Sequence, residues 1–149
     1  MLSFRKVDSM NQLANFRIVT NEVKIINHDM DGNLDVSPNI NRQTGHIENS
    51  SNYFTKLTIS FENTEEHPFP IDLSVTMTAI FDLQHLDTDD QEQIERFLRF
   101  QGVQTLFPYM RATISNTLSS AMIAPLTLPI VDVYQLFPED AKYLPEANN

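Results

Sequence analysis

Residues 102–131, GVQTLFPYMRATISNTLSSAMIAPLTLPIV, decide how this chain folds. In the first part of the stretch, large apolar residues recur every three or four positions, which is the spacing of one helix face. These are Val103, Leu106, Phe107, Met110, Ile114, Leu118, Ala121 and Met122. The opposite face is small or uncharged, with Ala112, Ser115, Asn116, Ser119 and Ser120. Such a helix, predicted over 103–124, can pack against two surfaces: a sheet of its own chain and a partner subunit.

A second apolar run, residues 125–131, follows the predicted helix and reads PLTLPIV. Its prolines exclude a helix, because proline lacks the backbone donor and clashes with the preceding turn. The residues themselves leave two interpretations open. The run is either a connector that covers the edge of the sheet, or a wall of an apolar groove in which extended segments of other chains bind.

The sheet for this helix is predicted upstream of it. The clearest strands are 53–61 and 69–83, because apolar and polar residues alternate along both and a short polar loop joins them into a hairpin. An earlier strand, 16–27, changes the parity of its apolar positions near Asn21, which indicates a β-bulge.

A weaker strand is predicted between the first strand and the hairpin. Pro38 restricts it to an edge strand or a broken one, and Gly45 belongs to the turn that follows. Its alternating apolar residues are Leu34, Val36 and Ile40.

Helical spacing resumes after the hairpin. Thr88 is predicted to cap a helix that continues to Gly102, and Gly102 and Pro108 predict a bend or restart before the long helix. Farther on, Asp132 begins a short amphipathic turn, which Pro138 either ends or follows with another turn.

This order of elements predicts an α+β domain, a four-stranded antiparallel sheet with a long helix and a second short helix packed on one face. We expect a single domain over 1–149, with an N-terminal arm at 1–15 and a C-terminal tail at 138–149.

Composition excludes several classes of function. Twenty acidic residues against ten basic ones give a net charge of −10, and the absence of a Lys/Arg block disfavours nucleic-acid binding. The chain has no cysteine, which excludes disulfides and thiolate sites.

No catalytic motif and no spacing of metal ligands is present, so no enzyme activity, metal or cofactor is predicted. The lack of a signal-like or membrane-spanning apolar run predicts a cytoplasmic protein that does not insert into membranes.

Residues 106–137 also carry a recognisable set of motifs. The long helix opens with Leu-Phe-Pro-Tyr-x-Arg, a connector with two Leu and two Pro residues follows it, and a Leu-Phe pair comes after the connector. In this respect the chain resembles the SecB family of export chaperones. The matching residues are Leu106, Phe107, Pro108, Tyr109, Arg111, Pro125, Leu126, Leu128, Pro129, Leu136 and Phe137.

The resemblance implies a holdase that binds unfolded or precursor polypeptides without ATP, in apolar grooves beside the connector. The implied groove residues are Pro125, Leu126, Leu128, Pro129, Val131, Leu136 and Phe137. It also implies a homotetramer, a dimer of dimers whose long helices meet through Tyr109, Ala112, Ser115, Asn116 and Ser119.

In the export pathway, an acidic surface of the family's sheet docks the SecA motor ATPase. Asp72 is the acidic residue nearest to the corresponding position of strand 69–83, which is occupied by Ser74. The family also has relatives attached to toxin–antitoxin systems. A dedicated binding module for one such partner is therefore the alternative function. An enzyme or ligand binder would need polar groups on the buried face of strand 69–83, and that face is apolar.

Overall fold

The computed structural model describes residues 15–30, 38–84, 90–123 and 136–143. The elements, in chain order, are β1 (Asn15–Asn27), β2 (Asn39–His46), β3 (Asn52–Phe61), β4 (Ile71–Asp82), α1 (Gln91–Ser120) and a 3-10 helix (Pro138–Tyr143). The predicted α+β architecture, a four-stranded antiparallel sheet with a long helix, is confirmed. The expected N-terminal arm lies outside the described residues.

The sheet has the strand order β1-β4-β3-β2, and every neighbouring pair is antiparallel. Two hairpins join β2 to β3 and β3 to β4, while β1 lies on the far side of β4. The pairing of β1 with β4 shifts register between Thr20 and Glu22. This irregularity confirms the predicted bulge at Asn21, since one extra residue moves the following side chains to the other face of the sheet.

The core lies between α1 and the inner face of β3 and β4. Along β4 the inward side chains are all apolar and buried, as the alternation predicts. The apolar face of α1 meets them. Its most deeply buried members are Leu106, Met110, Ile114 and Leu118, each with no exposed surface.

Strand β2 is an edge strand, as Pro38 indicates, and it contains Ile40 as predicted, but the assignment of Gly45 to the following turn was wrong. The strand begins at Asn39 and runs through Gly45, which was assigned to a turn. Alternation of apolar residues could not locate it, because the side chains that follow Ile40 on the inner face are the polar Arg42 and Thr44. Leu34 and Val36 lie outside the described residues.

The two helices predicted on either side of Gly102 form one continuous helix, α1. Gly102 is required for packing rather than for a bend. A Cβ at this position would clash with Oγ1 of Thr55, on the neighbouring strand β3. Pro108 lies on the exposed side of α1, where water can reach the carbonyl that proline leaves unbonded. The N-cap is Asp90, which accepts a hydrogen bond from the N–H of Glu92. Thr88 lies outside the described residues.

Helix α1 ends at Ser120, four residues before the predicted end at 124. The N–H of Ile123 donates to the carbonyl of Leu118 (2.9 Å), and that of Met122 donates to Ser119 (3.0 Å). Met122 has a φ of 58°. These are the features of a Schellman motif, so a reversal of the backbone, and not Pro125, ends the helix.

Residues 138–143, which were assigned to the C-terminal tail, form a 3-10 helix (Pro138–Tyr143). The predicted second short helix carries the pair Leu136 and Phe137, and these two residues instead precede the 3-10 helix. Of the two interpretations of Pro138, the one in which it begins a new turn is therefore confirmed. The turn predicted from Asp132 falls mostly outside the described residues.

Candidate functional site

The predicted client groove is described in part. Its connector residues, Pro125, Leu126, Leu128, Pro129 and Val131, lie outside the described residues. Leu136 and Phe137 are described, and both are half-buried and packed against the core. Part of the apolar surface of this pair therefore remains accessible beside the sheet and the helix.

Phe137 is held in place by a charged residue of the edge strand. The guanidinium carbon of Arg42 lies 4.0 Å from the centre of the Phe137 ring. The Arg42 side chain is only 4% exposed, so this cation–π contact is largely shielded from water. The ring thus lies against β2 rather than pointing freely into solvent.

Asp140 provides the counter-charge for Arg42. The two oxygens of its carboxylate each accept a hydrogen bond from Arg42, both at 2.6 Å. One of the oxygens also accepts from Nη1 of Arg99 on α1, at 2.8 Å. Asp140 has no exposed surface, so this carboxylate joins three elements, β2, α1 and the 3-10 helix, inside the protein.

Two further residues extend the network on its outer side. Nε of Arg99 donates to a carboxylate oxygen of Glu95 at 2.9 Å, and the hydroxyl of Thr44 donates to the same oxygen at 2.6 Å. Arg42, Arg99, Asp140 and Glu95, which we call the Asp140 cluster, carry two positive and two negative charges. A neutral and fully hydrogen-bonded set of this kind can be buried without leaving an unpaired ion.

The cluster alters the acidity of its members. Burial opposes ionisation of Asp140, but the hydrogen bonds from Arg42 and Arg99 outweigh it and lower the pKa of this carboxyl below its ordinary value. Burial likewise acts to lower the pKa of Arg99, and the hydrogen bond to Asp140 together with the charge of Glu95 raises it overall. Asp140 and Arg99 are therefore both ionised at neutral pH.

Sequence reasoning missed this cluster, although Arg42 left a signal. Ile40, Arg42 and Thr44 alternate along β2, so an inward Ile40 implies an inward Arg42, which needs a buried acid. Nothing in the sequence indicates that the acid is Asp140, which was assigned to the tail.

The outer face of α1 is open in the single chain. Tyr109, Ala112, Ser115, Asn116 and Ser119 are all exposed, since the opposite face of the helix packs on the sheet. The structure thus brings the predicted interface residues together on one accessible surface. Their contact with another subunit stays a prediction.

An apolar strip lies on the same side of the sheet as α1, along edge strand β1. Phe16 and Val23 face that side yet are 48% and 43% exposed, while Ile18 and Ile25 pack partly against the core. The Phe16 ring lies 6.0 Å from that of the buried Phe81. Helix α1 therefore leaves the β1 side of the inner sheet face only partly covered.

Comparison with known proteins identifies the chain. Residues 18–143 match the family model of SecB, the preprotein translocase subunit. The chain belongs to the SecB family. Apart from the first three residues of β1, the match includes every described strand and helix, as well as the connector sequence.

Individual relatives of this SecB-family chain are distant. The protein-export protein SecB of Anaplasma phagocytophilum is 27% identical over 85 residues, which are 57% of this chain and about half (54%) of that protein's length. An uncharacterised protein of Methanocaldococcus jannaschii is 28% identical over 124 residues, 81% of this chain and 75% of that protein.

A solved structure has the same fold. It is a SecB-like chaperone of Mycobacterium tuberculosis, in complex with a ChAD peptide from the HigA1 antitoxin. The TM-score is 0.66 at 15% sequence identity, and the alignment covers 86% of this chain and 97% of that one.

Asp72, the predicted motor-docking residue, is described. Asp72 lies on the outer face of the sheet, and its carboxylate is engaged within the chain. It accepts a hydrogen bond from the N–H of Asn63 at 2.7 Å and lies 3.1 Å from Nε2 of His28. The hydrogen bond from Asn63 is the largest of the effects that lower the pKa of Asp72.

The rest of that outer face is not acidic. Pairing register puts three acidic and three basic side chains on the face, so their charges cancel. They are Glu22, Asp72, Asp82, Arg17, Lys24 and Lys56.

The part of the chain that the structure describes contains neither a candidate metal site nor a membrane-spanning helix. Among the described residues, no group of three or more His, Cys, Asp or Glu side chains could hold a metal ion. Within those same ranges, no helix combines the length and apolarity that crossing a bilayer requires.

Proposed function

We propose that this SecB-family chain is an ATP-independent holdase, which binds unfolded or non-native polypeptides in an apolar groove. The observation that carries the proposal is the family match over 18–143, which spans the sheet, the long helix and the motif-bearing stretch 106–137. The half-buried Leu136 and Phe137 support it, because they offer apolar surface at the end of that stretch.

The groove of the proposed holdase is walled by the connector 125–131 and by Leu136 and Phe137. A client would bind by burying apolar surface, worth about 25 cal/mol per Å² before the cost of ordering the client. Such contacts depend on area more than on side-chain identity. Specificity for client sequence is therefore expected to be loose.

Suppression of aggregation tests this proposal. A chemically denatured enzyme is diluted into buffer with and without the chain, and light scattering is followed without ATP. We expect suppression near stoichiometric amounts of the assembled protein. Unchanged scattering at several-fold excess would rule out the holdase function.

A dedicated binding module for a single partner is the second candidate. It is supported by the Mycobacterium tuberculosis protein of the same fold, which was solved with an antitoxin peptide. A pull-down dominated by one protein, together with no affinity for a generic unfolded chain, would favour this function over the holdase.

We further propose a cytoplasmic homotetramer that delivers precursors for export, with SecA as its motor partner. The balanced charge of the outer sheet face and the internal contacts of Asp72 argue for weak SecA docking at most. Titrations against SecA and against an unfolded precursor, run side by side, test the export role separately. If the chain binds the precursor but not SecA, the holdase function stands and the SecA contact is rejected.

A further inference from the structure

One buried carboxylate provides the hydrogen bonds that attach residues 136–143 to the sheet and the helix. The same two arginines also lie over the rings of Phe137 and Tyr143. Between the described residues, all hydrogen bonds from this segment to the sheet and the helix end on Asp140, which accepts from Arg42 and Arg99. The backbone N–H of Asp140 donates to the carbonyl of Phe137 at 3.1 Å, within the segment itself. Asp140 thus links Phe137 directly to both arginines.

The segment contributes little to the central core. The fully buried apolar side chains belong to β3, β4, α1 and the loop before β4, whereas Leu136 and Phe137 are half-buried at the periphery. Movement of residues 136–143 away from β2 would therefore expose their own apolar surface without opening the interface between sheet and helix.

We propose that Asp140 is a positioning residue for client binding. By fixing the 3-10 helix between Arg42 and Arg99, it sets where Leu136 and Phe137 lie, and so sets the shape of the groove wall that they form. This inference rests on the proposed holdase function. Asp140 itself touches no client, because it has no exposed surface.

The charges around Asp140 explain why this role needs a carboxylate. Arg42 and Arg99 face it from β2 and α1, Glu95 faces Arg99, and the 3-10 helix adds the exposed Glu139 and Lys142. Both oxygens of Asp140 accept from guanidinium groups. An amide at this position would turn one acceptor into a donor directed at the arginines, while keeping nearly the same shape.

The test compares three variants of the full chain. Asp140→Asn removes the charge, and Asp140→Glu keeps the carboxylate as the conservative variant. Glu139→Gln is the matched control, because Glu139 lies in the same turn, 3.9 Å from Arg42, but is 61% exposed. Affinity is measured by titration with reduced and carboxymethylated ribonuclease A, which cannot refold. Amide hydrogen exchange reports separately on residues 138–143 and on β4 and α1.

We expect Asp140→Asn to weaken binding about tenfold or more and to speed exchange in 138–143, while β4 and α1 keep their protection. Asp140→Glu should retain most of the affinity, and Glu139→Gln should match the wild type. If Asp140→Asn fails to fold, the comparison of Asp140→Glu with Glu139→Gln replaces it. We then expect Asp140→Glu to lose less than tenfold in affinity and to exchange faster in 138–143, while Glu139→Gln shows neither change.

Two results would overturn the inference. One is unchanged affinity despite faster exchange in 138–143, because the wall would then not need Asp140. The other is unchanged hydrogen exchange in 138–143 when the carboxylate is removed in Asp140→Asn or displaced in Asp140→Glu. If the wild type itself does not bind the unfolded probe, the holdase function fails, while hydrogen exchange still reports whether Asp140 holds the segment.

Discussion

Asp140 accepts two hydrogen bonds from Arg42, both at 2.6 Å, although the two residues lie 98 positions apart in the chain. One belongs to the 3-10 helix near the C-terminus and the other to an edge strand. Their pairing brings residues 136–143 back onto the sheet. It also makes the carboxylate of Asp140 a source of pH-dependent stability.

Acid should weaken the fold through Asp140. Its pKa is lowered in the folded state from the ordinary value of 3.8, so the ionised form is the one that folding favours. The resulting stability is complete above the ordinary pKa and is lost as pH falls through the lowered one. We expect Asp140→Asn to lower the melting temperature at pH 7. Between pH 5 and pH 2, the melting temperature of this variant should fall less than that of the wild type. Parallel acid dependence of the two proteins would contradict this.

Substitution of Gly102 should be costly. The added methyl group of Gly102→Ala would meet Oγ1 and Cβ of Thr55, and Thr55 is fixed by its hydrogen bond to the carbonyl of Leu98. We expect a loss of about 1–3 kcal/mol in the free energy of unfolding, measured with urea.

Gly45 offers the matched control for that experiment. A Cβ at Gly45 would meet the ring of Phe54 on the outer face of the sheet, where the ring can rotate away. Gly45→Ala should therefore cost less than Gly102→Ala. Equal losses would mean that the contact with Thr55 is not the cause.

The end of α1 should become more stable with glycine at 122. Met122 has a left-handed backbone conformation (φ 58°), and its side chain is 95% exposed, so its contacts do not compensate the strain. Met122→Gly should raise the free energy of unfolding by about 1 kcal/mol. Ser120→Gly, two residues earlier and still helical, should lower it by about 0.5–1 kcal/mol. Destabilisation by both changes would contradict the Schellman assignment.

Arginine on the outer face of α1 should disrupt assembly if that face forms the subunit interface. Ser115→Arg and Ser119→Arg add bulk and charge at exposed positions, so each should fold normally as a single chain. We expect the double variant to have about half the mass of the wild-type oligomer by multi-angle light scattering. Asn41→Arg, which adds one arginine at an exposed position on the outer face of β2, is the control. An unchanged mass for the double variant would remove the helix from the interface.

Elements with a strong local pattern were predictable from the sequence. Alternation identified β3 and β4, and helical spacing identified the buried face of α1, because each pattern reports which side chains face one apolar layer. The motif-bearing stretch 106–137 also indicated the family to which residues 18–143 belong.

Tertiary structure decided what local patterns could not. Considered alone, Gly102 predicts a break in the helix. The helix is in fact continuous, and the close approach of Thr55 explains why a glycine lies within it. The position of β2 and the burial of Asp140 depend on each other, since a polar inner face on the strand is tolerated only when a distant acid pairs with Arg42. Hydrophobic periodicity is a property of neighbouring residues. The pairing of buried charges depends on the path of the whole chain, and for this reason the attachment of Leu136 and Phe137 through Asp140 could not be predicted.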